Sequence, residues 1–245
     1  MKRLDFDRAA PVYFLEHCAS TNTLVKELAR DAEPEGSVII AARQSHGRGR
    51  MGRSFVSPEG GVYMSMLLRP DTAAERLPQL GAVAALAVRR ALASFCSVSA
   101  DIKWPNDLLF EGKKLCGILT EGLLGESLAV ILGIGVNLNS AIPPELADIA
   151  VSVRELCGRE FDSLGFARCL VSELDTLCAM WQGGHSFREE YRAACTGLGK
   201  DVILIQNAET QSAHALDIGE DMSLIVRLPD GKTRHIRWGE LSLRF

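Results

Sequence analysis

Three β-rich segments follow one another in the middle of the chain, and they limit its possible folds more than any other feature. Residues 98–110, 113–124 and 127–139 are rich in Leu, Ile and Val, and only short turns containing Glu and Gly separate them. Strand patterns joined by such turns are typical of antiparallel neighbours. The sequence therefore predicts an antiparallel meander at the centre of the fold.

Helices and further strands are predicted on both sides of the meander. Leu24 and Leu28 stand at helical spacing after a Ser-Thr-Asn sequence that supplies N-cap chemistry, which predicts a helix start near residue 20. Residues 77–96 are Ala-rich and predict a buried helix, and residues 163–181 predict an amphipathic one. That helix carries Leu170, Leu174, Leu177 and Trp181 on one side, and shorter strands are expected at 37–42 and 61–69.

The character of the chain changes near Gly199. Short strands joined by turns such as Pro-Asp-Gly-Lys at 229–232 predict a small β-barrel. We therefore expect an α+β protein with two domains. The first, residues 1–195, would hold a mixed or antiparallel sheet flanked by helices, and residues 196–245 would form the barrel.

Composition excludes several classes of function. The 245 residues carry a net charge of −4, which argues against bulk nucleic-acid binding. No apolar run approaches the roughly 18 residues that span a bilayer, and no secretory signal is visible at the start. Seven Cys without a C-x-x-C pair indicate reduced thiols, and no H-E-x-x-H motif indicates zinc. These features favour a cytoplasmic protein without a membrane partner.

The loop at residues 43–55 is the most unusual local feature. It contains four Arg, three Gly and no acidic residue, and residues 47–52 match G-x-G-x-x-G. A dinucleotide-binding motif would open a helix, whereas a strand pattern follows here. Two interpretations stay open: a solvated basic loop that touches RNA, or a backbone that folds around an anion with Arg donors beside it.

A second group of polar residues follows in the meander. A strand-breaking proline places Asn106 and Asp107 at a bend facing a cleft. Lys103 and Lys114 are expected on consecutive strands of a hairpin and within reach of that cleft, although a lone Lys is by default surface charge. Gly117 leaves a bare patch of backbone for a flat ligand. The segment at 133–139, with two Gly and two Asn, indicates either a polar turn or an edge that faces a purine or ribose.

Together these segments resemble the biotin–protein ligase family. The matching motifs occur in order over most of the chain. They are STN at 20–22, Gln44, GRGRMGR at 47–53, SPEGGVYMSM at 57–66, KWPNDL at 103–108, GKKLCGIL at 112–119, GIGVNLN at 133–139 and GELSLR at 239–244.

The resemblance implies both a fold and a reaction. The fold would be a class II synthetase-like catalytic domain with a C-terminal SH3-like barrel. The enzyme would join biotin and ATP, with Mg²⁺, into biotinyl-5′-AMP and pass the biotin to a lysine of a biotin carboxyl carrier domain. The resemblance leaves open whether the protein is a monomer or a homodimer.

The resemblance also assigns site residues. Lys114 and Arg50 would be catalytic, and Asp107 would hold Mg²⁺ weakly, mainly through phosphates. Biotin would contact Ser20, Thr21, Asn22, Gln44, Arg48, Gly49, Arg50, Lys114, Gly117 and Ile118. ATP would contact Arg50, Arg53, Phe55, Lys103, Asn106, Asp107 and Asn137, and Arg244 would approach the same side.

Departures from the family pattern leave alternatives open. Phe55 replaces a usual Trp and loses the indole N–H. Cys116 replaces a usual Ala and is either a small buried hydrophobe or a thiol activated by Lys114. The first motif begins at residue 20, which leaves no room for a DNA-binding winged helix, so no sequence-specific DNA binding is expected. A lipoate–protein ligase and a non-catalytic biotin-binding homologue remain alternatives.

Overall fold

The computed structural model describes residues 1–31, 33–72, 74–123, 128–206, 209–237 and 239–243. Two sheets and five α-helices form within these ranges. The strands are β1 (Lys2–Leu4), β2 (Val12–Leu15), β3 (Val38–Ala41), β4 (Val62–Leu68), β5 (Asp101–Lys103), β6 (Asp107–Phe110), β7 (Lys113–Leu123), β8 (Ala129–Val136), β9 (Cys195–Thr196), β10 (Asp201–Gln206), β11 (Glu209–Ile218), β12 (Leu224–Arg227), β13 (Thr233–Ile236) and β14 (Glu240–Leu243). The helices are α1 (Thr21–Arg30), α2 (Gln79–Ala91), α3 (Val153–Cys157), α4 (Ser163–Gln182) and α5 (Arg188–Ala194).

The larger sheet has nine strands in the order β1-β2-β3-β4-β8-β7-β6-β5-β9. Only the pairs β2–β3 and β5–β9 are parallel, so the sheet is mixed. The predicted meander is confirmed, because β5 to β8 are consecutive antiparallel neighbours. The prediction that Lys103 and Lys114 lie on consecutive strands was wrong. The first segment forms two strands, β5 and β6, so β6 lies between Lys103 on β5 and Lys114 on β7.

Helices α2 and α4 pack together over one face of this sheet. Leu170, Leu174, Leu177 and Trp181 of α4 are all buried, as their spacing predicts. α2 is followed directly by a π-helical turn, Leu92–Cys96, and together they contain 18 residues of mean hydropathy 1.2. This length and composition are sufficient for a bilayer span, contrary to the sequence expectation. The helix is nevertheless mostly buried in the protein core, as the core helix of a globular fold would be.

The C-terminal strands form a separate antiparallel sheet of five strands in the order β13-β12-β11-β10-β14. Hydrogen bonds join this sheet to the first domain. Trp104 Nε1 donates to Met222 O at 2.9 Å, and Arg188 Nε of α5 donates to Ile218 O at 2.7 Å. The α+β class is therefore confirmed, with a small antiparallel sheet where the sequence predicted the barrel. Arg244 lies outside the described residues.

Candidate active site

One cavity of about 170 Å³ lies over the middle of the larger sheet. It is bordered by the start of α1, the Arg-rich loop, the turn between β5 and β6, and the facing strands β7 and β8. Every predicted site residue that the structure describes lines it except Asn137. Those residues are Ser20, Thr21, Asn22, Gln44, Arg48, Gly49, Arg50, Arg53, Phe55, Lys103, Asn106, Asp107, Lys114, Gly117 and Ile118.

Three glycines on β7 and β8 leave the sheet surface under this cavity without side chains. A Cβ on Gly135 would stand 2.6 Å from Phe55 Cε1, and one on Gly117 would stand 2.9 Å from Phe55 Cε2. A Cβ on Gly133 would stand 2.1 Å from Asn22 Oδ1. The bare patch expected at Gly117 for a ligand is therefore present, but the Phe55 ring lies against it in this structure.

The start of α1 forms one polar end of the cavity. The sequence suggested that hydroxyl side chains cap this helix, yet Ser20 at the N-cap position makes no side-chain capping bond. The Gln44 side chain caps the helix instead, because its Oε1 accepts a hydrogen bond from the Thr21 backbone N–H at 2.8 Å. Its Nε2 donates to Ser57 Oγ at 3.0 Å, which holds the amide in place. The Ser20 hydroxyl is thus not used for capping.

Opposite charges meet at the other end of the cavity. Lys114 Nζ lies 2.8 Å from Asp107 Oδ1 and 5.5 Å from the centroid of the Phe55 ring. Asp107 Oδ1 is buried and accepts no hydrogen bond of ordinary geometry within the described residues. Its polar contact there is the ion pair with Lys114. An ammonium and a carboxylate thus lie side by side at the cavity.

The Arg-rich loop is tied to both sheets. Arg50 NH1 donates to Gly239 O of the C-terminal segment at 3.0 Å and lies 3.3 Å from Asn106 Oδ1. Within the loop, Gly49 N donates to Arg53 O at 2.7 Å, and Met51 has a left-handed φ of 54°. The Arg50 guanidinium therefore lies beside the Asn106 turn and lines the same cavity as Lys114.

A second, mostly apolar cavity of about 280 Å³ adjoins the first. Phe55 and Lys114 line both cavities, and Asn137 lines only the second. Asn137 Nδ2 also lies 3.3 Å from Lys114 O and 3.4 Å from Val151 O, so this amide helps to hold the backbone of β7. Lys114 consequently stands at the junction of a polar and an apolar cavity.

The two interpretations of Cys116 are separated by its burial. The side chain is fully buried, and burial raises the pKa of its thiol far above the usual value despite the opposing charge of Lys114. A thiolate does not form there near neutral pH. Cys116 is a small buried hydrophobe, and the activated-thiol interpretation is wrong.

Sequence reasoning missed several residues of the site. Ser65 of β4 and Glu121 of β7 contact Asn22, and Leu241 of β14 lines the first cavity. A single acidic residue in an apolar strand was a visible signal for Glu121. Nothing local marks Ser65 or Leu241, because only the sheet topology brings them to the cavity.

Comparison with known proteins agrees with this geometry. Residues 14–139 match the biotin/lipoate A/B protein ligase family. The biotin--[acetyl-CoA-carboxylase] ligase of Paracoccus denitrificans is 36% identical over 232 residues, which cover 87% of this chain and 92% of that protein. The chain belongs to this family. The biotin protein ligase from Aquifex aeolicus in complex with biotin and ATP superposes with a TM-score of 0.84 at 30% identity, covering 95% of this chain and 98% of that one.

The ligase relatives include longer proteins. The bifunctional ligase/repressor BirA of Bacillus subtilis is 44% identical over 153 residues. That alignment covers 60% of this chain and 47% of the relative, so the match spans about half the length of that protein.

Proposed function

We propose that this protein activates biotin with ATP to biotinyl-5′-AMP and then transfers the biotin to a lysine of a biotin carboxyl carrier domain. The observation that carries the proposal is the position of Lys114 at the junction of the two cavities. A polar cavity fits the ureido head of biotin and an apolar cavity fits adenine, so the bond between the biotin carboxylate and the α-phosphate would form beside the Lys114 ammonium.

Each subsite follows from the contacts around it. Ser20, Thr21, Asn22 and Gln44 would surround the ureido group, since hydroxyls and amides both donate and accept. Arg48 and Gly49 would border biotin from the loop, and Gly117 and Ile118 would form the wall beside its rings. Phe55, Asn137, Lys103, Asn106 and Arg53 would face the nucleotide.

Charge development explains the catalytic assignment. The biotin carboxylate attacks the α-phosphate, and negative charge grows on the phosphoryl oxygens as pyrophosphate leaves. Lys114 and Arg50 would supply preset donors at that point, in a cavity partly shielded from water. Mispositioned donors would have to reorganise during the reaction, so the anchoring of Arg50 on Gly239 O favours catalysis.

The residues present fit a weakly held Mg²⁺. Among the described residues no group of three or more His, Cys, Asp or Glu side chains could hold a metal by itself. Asp107 offers one buried carboxylate oxygen that accepts no hydrogen bond of ordinary geometry and is paired with the Lys114 ammonium, with which Mg²⁺ would have to compete. Mg²⁺ commonly binds through one carboxylate together with substrate phosphates. Bound there, the ion would neutralise charge on the departing pyrophosphate.

Partners and organisation complete the proposal. The carrier would be a biotin carboxyl carrier domain, and the enzyme would act in the cytoplasm as a monomer or homodimer, without DNA-binding or repressor activity. The boundary predicted between residues 195 and 196 would fall inside β9, which still belongs to the larger sheet, so we propose to move it to residues 197–200, before β10 begins the smaller sheet.

Biotin-dependent ATP–pyrophosphate exchange tests the function. The parent should exchange only with biotin, and Lys114→Ala and Arg50→Gly should lose about 100-fold or more of that rate, as when preset donors are removed. Lys113→Ala is a matched control, since Lys113 is the adjacent exposed Lys of β7 and donates to Ala147 O at 2.7 Å. It should retain the parental rate.

The remaining outcomes separate the alternatives. Exchange with lipoate in place of biotin would keep the mechanism and replace the substrate. Calorimetric biotin binding without any exchange would indicate a non-catalytic homologue. Transfer is then measured by incubating the parent, ATP and labelled biotin with a carrier domain, whose labelling should require its target lysine.

A further inference from the structure

A carboxylate on β7 joins three segments beside the first cavity. Glu121 Oε2 accepts a hydrogen bond from Asn22 Nδ2 of α1 at 2.8 Å. Glu121 Oε1 accepts from Lys26 Nζ at 2.7 Å and lies 3.2 Å from the Arg48 guanidinium of the loop. The side chain is only 18% exposed. Burial opposes its charge, but the hydrogen bonds from Asn22 and Lys26 outweigh burial and hold its pKa below the usual value.

This carboxylate determines the direction of hydrogen bonds at the polar end of the cavity. An ionised carboxylate only accepts, so the Asn22 amide must turn its NH₂ group toward Glu121. Asn22 Oδ1 then faces Ser65 Oγ, which donates to it at 2.6 Å. Ser65 Oγ also lies 2.8 Å from Thr21 Oγ1. The charge of Glu121 thereby helps to determine which donors and acceptors Asn22 and Thr21 present to the cavity.

The second consequence concerns the loop. The Arg48 side chain is 46% exposed and sits at the rim, so its ion pair with Glu121 holds this part of the loop against β7. Removing the Glu121 carboxylate would remove both the ion pair that holds Arg48 and the hydrogen bond that orients the Asn22 amide.

We propose that Glu121 is a positioning residue for biotin, which orients the Asn22 amide and holds Arg48 at the cavity rim. This inference rests on the proposed function and deepens it. Glu121 itself does not line the cavity, so it acts through its two partners.

Glu121→Gln tests the inference at constant side-chain size. A Gln amide donates as well as accepts, so it neither fixes the Asn22 orientation nor pairs with Arg48. In the exchange assay the KM for biotin should rise about tenfold, the effect of losing a hydrogen bond to a charged group. The KM for ATP and kcat should stay within about twofold of the parent, because the contacts of Lys114 and Arg50 are untouched.

Two further variants make the result specific. Glu190→Gln is the matched control, since Glu190 forms a comparable 2.7 Å ion pair with Arg90 outside the site, and it should keep the parental KM. Arg48→Met changes an exposed side chain and should raise the KM for biotin about threefold. Combined with Glu121→Gln it should raise the KM by less than the product of the two single effects, because both variants lose the Arg48–Glu121 ion pair.

The outcomes distinguish this inference from the function on which it rests. An active parent with an unchanged biotin KM in Glu121→Gln would overturn the positioning role alone. An equal rise in both KM values with a fall in Tm would also overturn it, by showing general loosening. A parent without biotin-dependent exchange would overturn the function and this inference together. If Glu121→Gln does not fold, a parental biotin KM in Arg48→Met is the overturning result.

Discussion

Gly133→Ala is the sharpest structural test of the cavity floor. The added Cβ would stand 2.1 Å from Asn22 Oδ1, far inside any real contact distance, and Asn22 is itself only 4% exposed. The amide must therefore move, which breaks its hydrogen bonds with Glu121 and Ser65. Overpacking costs about 1–3 kcal/mol and an unsatisfied buried polar group costs a similar amount.

We therefore expect Gly133→Ala to lower the free energy of unfolding by about 2–4 kcal/mol. For a chain of this size that corresponds to a Tm lower by roughly 5–15 °C. Biotin affinity, measured by calorimetry, should fall at least about tenfold, because the displaced amide is a proposed ligand of the ureido group. Thermal unfolding followed by circular dichroism gives the first quantity.

Gly122→Ala is the matched control for this substitution. Gly122 also lies in the sheet, on β7, but no atom of the described residues stands within 4 Å of its added Cβ. The change should be neutral or stabilising by up to about 1 kcal/mol, since Ala has less backbone freedom to lose. Equal Tm and biotin affinity in Gly133→Ala and Gly122→Ala would refute the reasoning. In the double variant Asn22→Ala/Gly133→Ala the clash disappears. The loss in free energy of unfolding should therefore be smaller in the double variant than the sum of the losses in the two single variants.

Leu174→Ala removes a fully buried side chain of α4 and should lower the free energy of unfolding by about 2–5 kcal/mol in urea titrations; a loss below 1 kcal/mol would contradict the packing. Trp104→Phe removes the donor to Met222 O and should cost about 1–3 kcal/mol by the same measurement. Asp221 tests the electrostatics: burial opposes its charge, but hydrogen bonds from Ser223 and Arg237 hold its pKa at about 2, below the ordinary 3.8. A depressed pKa stabilises the fold above pH 4 and loses that contribution as the pH falls toward 2. Asp221→Asn should therefore flatten the fall of Tm between pH 4 and pH 2, and a parental slope would exclude this carboxylate as its source.

Local patterns in the sequence determined much of the fold. Apolar spacing predicted α4 and the buried helix α2, and short turns predicted the meander, because side-chain periodicity is a property of neighbouring residues. Several elements carried too little pattern to be recognised: β1, β2 and β9 have only two to four residues, and α3 and α5 have five and seven. Their stability depends on the sheet and helices that they join.

The sequence also indicated most of the candidate site, since the ordered motifs together with Phe55 named every residue except Ser54 that lines the first cavity from α1, the loop and β5 to β7. Tertiary structure alone decided how they contact one another. The Glu121–Asn22 contact joins residues 99 positions apart, and the Arg50–Gly239 contact joins residues 189 apart. Such contacts depend on strand register, in which a shift of one residue turns every side chain to the other face. The same register buries Cys116 and leaves Gly117 bare, so two adjacent positions with similar local sequence acquire opposite roles.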